Sequence, residues 1–264
     1  MHILEKKNLK EIILSFYKML GIEKEQLIHI EKPARFQKVF VPEAGFRPCI
    51  WYTEEYQRMF DLMTESVLKD KTLKEKFKNI KKIYFSRRKF GKAAATEFGE
   101  EYIEQCFNQN GYESLGPETL TLREQIYVWN HAEAIACMNG TIPLNVVFCK
   151  NEKLKLTILN KMSIYHKNPY IYLYMRNIQA EFIDIYKEPL KGYPKSLGEG
   201  PYLIKTGKEF FHYCQREKFE IPYTGMKLKF YDLKQEIRYY LCVIGIGNKI
   251  RRVGSYIKRK MLRR

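Results

Sequence analysis

From Lys82 onward the sequence alternates short strand-like runs with helical stretches, and this alternation limits the possible folds more than any other feature. Lys82 to Ser86, Tyr112 to Leu115, Ala134 to Met138 and Lys155 to Leu159 read as strands. Glu97 to Asn108, Leu122 to His131 and a short stretch after Pro143 read as the helices between them. Strands that alternate with helices form parallel βαβ units with right-handed crossovers. The expectation is an α/β fold with a Rossmann-type parallel sheet flanked by helices. Beyond Asn168 the pattern predicts a helix, a strand near Glu181 to Tyr186, a Gly/Pro-rich loop through Pro201, and a helix capped by Thr206 with Glu209.

Before Lys82 the chain is less regular. Leu9, Ile12, Ile13, Phe16 and Leu20 repeat at helical spacing until Gly21 ends the helix. Leu27 to Ile30 and Phe36 to Val41 are short β-rich runs punctuated by Pro33 and Pro42, and Thr53 caps a helix running to about Leu68. Lysine dominates Lys69 to Lys82, as in a solvated connection or a short helix at Thr72 to Phe77. The expected organisation is a reduced N-terminal α/β portion over 1–80, a Rossmann-like domain over 81–235 and a basic amphipathic helix over 236–264.

The 264 residues are 45% hydrophobic and 14% aromatic, enough to close a core and to exclude the disordered classes. The net charge is +17, and Lys249 to Arg264 carry eight basic and no acidic side chains. Ile246, Ile250, Val253, Ile257 and Met261 would line one face of a helix there, the pattern of an interfacial helix. Each Lys or Arg near an anionic leaflet contributes about 1 kcal/mol, so the segment 246–264 can hold the protein at a membrane surface without spanning it. A terminal helix packed on its own domain explains the same pattern equally well. Nucleic acid ranks lower, because the chain has no RNP, zinc-finger or recognition-helix signature. The longest apolar run, Tyr239 to Gly247, is too short to span a bilayer, and the N-terminus lacks the features of a signal peptide. The expected address is cytoplasmic, peripheral at the inner face of the plasma membrane.

The cysteines are scattered without a CxxC pair and read as buried, reduced thiols; the histidines form no HExxH or HxH. The aspartates, Asp61, Asp70, Asp184 and Asp232, lie far apart, so no DxD exists to hold a divalent cation. No metal is expected. Charge on any bound diphosphate then has to be met by Arg, Lys and helix N-termini.

Ligands of open parallel sheets bind beyond the carboxyl ends of the strands. The strand-end loops are Ser86-Arg87-Arg88-Lys89, Gly116-Pro117-Glu118 and Asn139-Gly140-Thr141-Ile142-Pro143. The last precedes a helix whose first turn tolerates proline, a place suited to an anion. Arg87 or Arg88 can supply a permanently charged clamp. Plainer readings stand beside these: solvated arginines, a Gly140 needed for close packing, and a capping role for Thr141. Glu124 makes an S/T-x-x-E box with Thr121, and Glu97 would occupy a first helical turn where any carboxylate is favoured.

Lys82-Ile-Tyr-Phe-Ser-Arg-Arg, Thr96-Glu97-Phe-Gly-Glu100, Asn110-Gly-Tyr, Leu120-Thr-Leu-Arg-Glu124-Gln125 and Asn139-Gly-Thr-Ile-Pro-Leu-Asn145 follow one another in an order and spacing that resembles glycosyltransferase family 61, of the bacterial capsular or surface polysaccharide type. The likeness extends from about Gly21 to Asn160. It implies a GT-B-like fold and an inverting transfer of a sugar from a nucleotide-sugar donor to a glycan or lipid-linked acceptor. On that pattern Arg87, with Arg88, stabilises the diphosphate, and Gly140 and Thr141 contact phosphate or ribose. Glu97, Glu124, Gln125, Asn139 and Asn145 line or brace the donor site. Many family members carry His-Gly-Ala where this chain has Asn139-Gly140-Thr141, and the half preceding the nucleotide domain is short. A GT-B cleft needs two halves, so the acceptor side is truncated, lost or completed by a partner chain, and no general base emerges. The rival readings are a non-catalytic nucleotide-binding scaffold and a basic membrane- or nucleic-acid-binding module.

Overall fold

A computed structural model describes residues 6–28, 30, 32–164, 166–187 and 200–244. The basic segment and its expected stripe at Ile246 to Met261 lie outside the described residues, as does most of the Gly/Pro-rich loop. In chain order the elements are α1 (Lys6–Met19), β1 (Phe46–Arg47), β2 (Trp51–Tyr52), α2 (Glu54–Leu68), α3 (Lys71–Phe77), β3 (Lys82–Phe85), α4 (Gly91–Thr96), β4 (Glu97–Phe98) and α5 (Glu100–Gln109). There follow β5 (Glu113–Leu115), α6 (Leu122–His131), β6 (Ala134–Met138), a 3-10 helix at Ile142–Phe148, β7 (Lys155–Asn160), α7 (Asn168–Met175), β8 (Ala180–Asp184), β9 (Tyr202–Leu203), α8 (Lys208–Arg216) and α9 (Gly225–Val243).

The central sheet has five strands in the order β5-β3-β6-β7-β8, all parallel. It is covered on both faces. Ile83, Phe85, Ile135 and Cys137 point into one apolar cluster with α2, α3, α6 and the 3-10 helix, while Tyr84, Ala136 and Met138 point into another with α5 and α8. Alternation with a period of two between two apolar clusters is why the strands read as continuous apolar runs. Trp129 is fully buried and stacks on Phe85 at 5.7 Å. Residues of α2 and α3, such as Met63, Val67 and Phe77, belong to the same cluster as β3 and β6, so the N-terminal helices share the core of the sheet. Helix α9 runs unbroken through residues 235 and 236.

Local sequence signals explain the helix starts. Thr53 accepts the N–H of Tyr56 to cap α2, Asp70 accepts the N–H groups of Thr72 and Leu73 to cap α3, and Thr121 with Glu124 forms a reciprocal capping box on α6.

Several expectations need correction. The runs at Leu27 to Ile30 and Phe36 to Val41 contain no strand among their described residues; with Pro33 between them, Pro42 after them and no neighbouring strand to complete a ladder, Ile28, Phe40 and Val41 stay exposed. Glu97 is not in a helix. It pairs with Tyr202 in the parallel β4–β9 ladder, and helix α5 starts only after Gly99, whose φ of 106° and 2.2 Å approach of a built Cβ to the Ile204 carbonyl oxygen demand glycine. Thr206 does not cap α8, which begins after Gly207 with no side-chain cap. Cys49 is exposed, its thiol donating to Asn168 Oδ1 at 2.8 Å, whereas Cys106, Cys137, Cys149 and Cys214 are buried as expected.

Candidate functional site

Strand β3 is the first of the parallel sheet, yet it lies between β5 and β6. The chain leaves β3 toward β5 on one side and then returns to β6 on the other. Where successive crossovers diverge in this way, the loops at the carboxyl ends separate and leave a crevice. The loops concerned are Ser86-Arg87-Arg88 after β3 and Asn139-Gly140-Thr141 after β6. The ladder pairs Phe85 with Cys137, so the loops leave adjacent strands at nearly the same height. They approach closely: a Cβ built on Gly140 would lie 3.4 Å from Nη1 of Arg87.

Arg87 is held from several directions. Its backbone N–H donates to Glu100 Oε1 at 2.8 Å, and Nη2 lies 3.2 Å from Glu97 Oε1. The same Glu97 oxygen receives the ammonium of Lys161 at 2.6 Å. The Lys161 and Glu97 side chains are only 2% and 3% exposed, whereas Arg87 keeps 18%. Lys161 also lies over the ring of Tyr202 at 4.1 Å. Burial holds its ammonium below the ordinary lysine range, with the Glu97 carboxylate opposing that shift. Two cations thus share one carboxylate oxygen, and of the two Arg87 is the one that reaches solvent. The other oxygen, Glu97 Oε2, is buried without a hydrogen-bond partner.

Glu100 lies beneath this group. Burial pushes its carboxyl up to about 7, despite hydrogen bonds from the Arg87 N–H and the Tyr84 hydroxyl. Glu97 and Glu100 also line a cavity of about 290 Å³ whose other walls include Arg88, Tyr231 and Arg238.

The remaining residues singled out from sequence divide by what they touch. Arg88 turns away onto α5, with Nη1 2.6 Å from Glu104 and Nη2 3.6 Å from Glu101. Asn139 is buried at the end of β6; its Nδ2 donates to Asn160 Oδ1 at 2.8 Å and its own Oδ1 has no partner. Thr141 is exposed at the start of the 3-10 helix and makes no side-chain cap. Asn145 Nδ2 donates to Gln125 Oε1 at 2.9 Å, while Gln125 Nε2 donates to the carbonyls of Pro117 and Leu120. This pair ties the loop after β5 to the segment after β6. Glu124 completes the α6 capping box and pairs with Lys76.

Residues not singled out from sequence complete the rim. Asn160 Nδ2 donates to Asp184 Oδ1 at 2.8 Å, and Asp184 Oδ2 accepts the Tyr186 hydroxyl at 3.1 Å. Asn139, Asn160 and Asp184 therefore form a polar row across the carboxyl ends of β6, β7 and β8. The sequence signal for Asn160 and Lys161 is the abrupt polar step after the run Leu156 to Leu159. Among the described residues no group of three His, Cys, Asp or Glu side chains is placed to hold a metal ion, and no helix is long and apolar enough to cross a membrane.

The two loops of this crevice and Glu97 lie on the part of the chain that a known family matches, whereas Asn160, Lys161 and Asp184 follow it. No curated protein matches the sequence. The family model described as Glycosyltransferase 61 matches residues 25–159, just over half of the chain, from before α2 through nearly all of β7 and across both loops of the crevice. The chain belongs to glycosyltransferase family 61, and its general chemistry is the transfer of a sugar from a donor to an acceptor.

Proposed function

We propose that the protein transfers a sugar, with inversion, from a nucleotide-sugar donor to a glycan or lipid-linked acceptor of surface polysaccharide assembly, without a metal ion. The supporting observation is the meeting of Arg87 with Gly140 at the β3/β6 crevice, beside the Lys161–Glu97 pair. As the bond from the anomeric carbon to the diphosphate oxygen breaks, negative charge builds on the leaving group. Fixed cations at that point stabilise the transition state more than the ground state. Arg87 is the direct contact in this reading, because its guanidinium is partly exposed while its backbone and one edge are anchored. Lys161 adds charge from behind. Glycine at 140 lets the phosphates approach the backbone, and the buried Asn139 braces the loop through its hydrogen bond to Asn160. Glu97 positions the cations, and Glu124, Gln125 and Asn145 brace the surrounding loops. Inversion follows from displacement by an acceptor hydroxyl on the face opposite the departing diphosphate. A lipid-linked acceptor suits the basic segment 246–264, through which the protein would lie peripherally at the inner face of the plasma membrane.

Titration calorimetry with uridine, guanosine and cytidine diphosphates, with and without a chelator, tests the reading. One nucleotide should bind, and chelation should leave its affinity unchanged. Arg87→Ala should weaken it by about 10- to 100-fold, the range for losing one charge-assisted hydrogen-bonding group, whereas Lys89→Ala should not. Equal titration curves for the two variants would remove the site from this crevice.

A further inference from the structure

Helix α9 carries an apolar stripe on the wrong side. Leu228, Gln235 and Tyr239 face the protein and are buried, as expected of a packed helix. Met226, Phe230, Leu233, Ile237, Tyr240 and Ile244 face outward, between 39% and 64% exposed. They recur at alternating steps of four and three residues. At 100° per residue they form one continuous band along the solvent side. A band of this kind is larger than the scattered apolar residues every surface shows, and marks a surface with a partner.

The charges beside the band identify that partner. Lys229 lies along one edge and Lys227 and Lys234 along the other, all exposed. The acidic residues of α9, Asp232 and Glu236, are engaged by the body of the protein: Lys205 lies 2.7 Å from Glu236 and 3.9 Å from Asp232, and Lys187 lies 3.6 Å from Glu236. The outward face therefore shows apolar side chains bordered by lysine. The helix leads directly into residues 245–264, which hold eight basic side chains and no acidic one. A second copy of the chain is a poor occupant. The four-three spacing suits a coiled-coil seam, but pairing would set lysine borders against lysine borders, where opposite charges are needed.

We infer that the outward face of α9 is a docking surface for an anionic lipid bilayer, lying flat in the headgroup region with its lysines on lipid phosphates. Its apolar band supplies the insertion and the lysines on each side supply selectivity for negative charge. The inference concerns attachment alone, and vesicle binding reads it without sugar transfer.

The test uses the full chain and sedimentation with phosphatidylcholine vesicles, with or without phosphatidylglycerol. Wild type should bind only the anionic vesicles, less at high salt. The double variant Phe230→Glu with Ile237→Glu should lose at least about tenfold in vesicle affinity, while keeping the wild-type thermal midpoint, since both positions are exposed. Ile50→Glu, at another exposed apolar position, should change nothing. In a Phe230→Trp protein, the added indole emission should shift to the blue on vesicle binding. Unchanged binding of the double variant, or no shift at position 230, overturns the inference and leaves the basic segment alone responsible. A wild-type dimer that the double variant splits, with no vesicle binding by either, also overturns it in favour of a second copy.

Discussion

Arg87 and Gly140 belong to different strand-end loops, and a Cβ at position 140 would stand 3.4 Å from the Arg87 guanidinium. That distance is an ordinary van der Waals contact, and the backbone of Gly140 is not in the left-handed region. Alanine therefore fits at little cost to folding. A branched side chain does not fit without moving the guanidinium. Gly140→Ala should shift the thermal midpoint by less than about 2 °C, while Gly140→Val should lower nucleoside diphosphate affinity about tenfold, since small misplacements of a binding group are costly. Calorimetry and thermal melts on both variants check this. Wild-type affinity in Gly140→Val would show that the two loops do not share a ligand.

The placement of these loops is legible in the sequence because it follows from periodicity. Strands ending at Phe85 and Met138 are marked by apolar runs, and parallel topology puts their carboxyl ends on one rim. Arg88 looks equivalent to Arg87 in sequence, yet the two diverge. Which one faces Gly140 depends on α5 presenting Glu101 and Glu104 to Arg88, a tertiary fact. Glu97 reads as a helical residue because Glu97 to Asn108 is helix-like; the break at Gly99 is imposed by the Ile204 carbonyl, more than a hundred positions away. Lys161 does not stand out as a site residue because its partner, Glu97, is remote in sequence. Long-range ion pairs and the β4–β9 ladder leave no local pattern, whereas caps and strand alternation do.

Asn160 joins Asn139 to Asp184, donating to one neighbour while accepting from the other. Asn139 and Asn160 are nearly fully buried, at 1% and 2% exposure, so a lost partner is not replaced freely by water. Asn160→Ala should cost about 2–4 kcal/mol in urea unfolding. Asn160→Asp keeps the acceptor for Asn139 but sets a second carboxyl against Asp184. Burial and that like charge raise its folded pKa, so the variant should be most stable in acid and lose stability as pH rises. Parallel pH dependence for variant and wild type would count against the row.

Glu100 should make stability depend on pH in an unusual direction. Its carboxyl ionises near 4.5 when unfolded, but burial holds the proton to about 7 in the folded protein. Between these values the folded state binds more protons than the unfolded state, so this contribution is greatest below the unfolded pKa and declines as pH rises through the folded one. Glu100→Gln can still accept from the Arg87 N–H and does not titrate. The stability of wild type relative to Glu100→Gln should fall by about 3 kcal/mol across this window, since each tenfold difference in proton affinity between the two states is worth about 1.4 kcal/mol. Chemical denaturation of both proteins across the window measures it. A flat difference would mean that Glu100 ionises as it does in water.

Lys161 and Glu97 form the most buried ion pair of the site, and they should behave as a unit. Removing one charge strands the other in a poorly solvated place, whereas removing both leaves neutral groups of similar size. Lys161→Met should destabilise by about 3–5 kcal/mol, tempered by the Arg87 guanidinium that still faces Glu97. Glu97→Gln removes the carboxylate oxygen that Lys161 and Arg87 share and should also destabilise. The double variant should cost less than the sum of the two, with a coupling of at least about 1 kcal/mol. Nucleotide affinity should part from stability in the same set. Glu97→Gln keeps both cations and removes one negative charge, so it should bind a diphosphate no worse than wild type, while Lys161→Met, with one cation fewer, should bind it more weakly. Additive stabilities within about 0.5 kcal/mol would dissolve the pair. Weaker binding by Glu97→Gln than by Lys161→Met would show that the carboxylate touches the ligand itself and does more than position the cations.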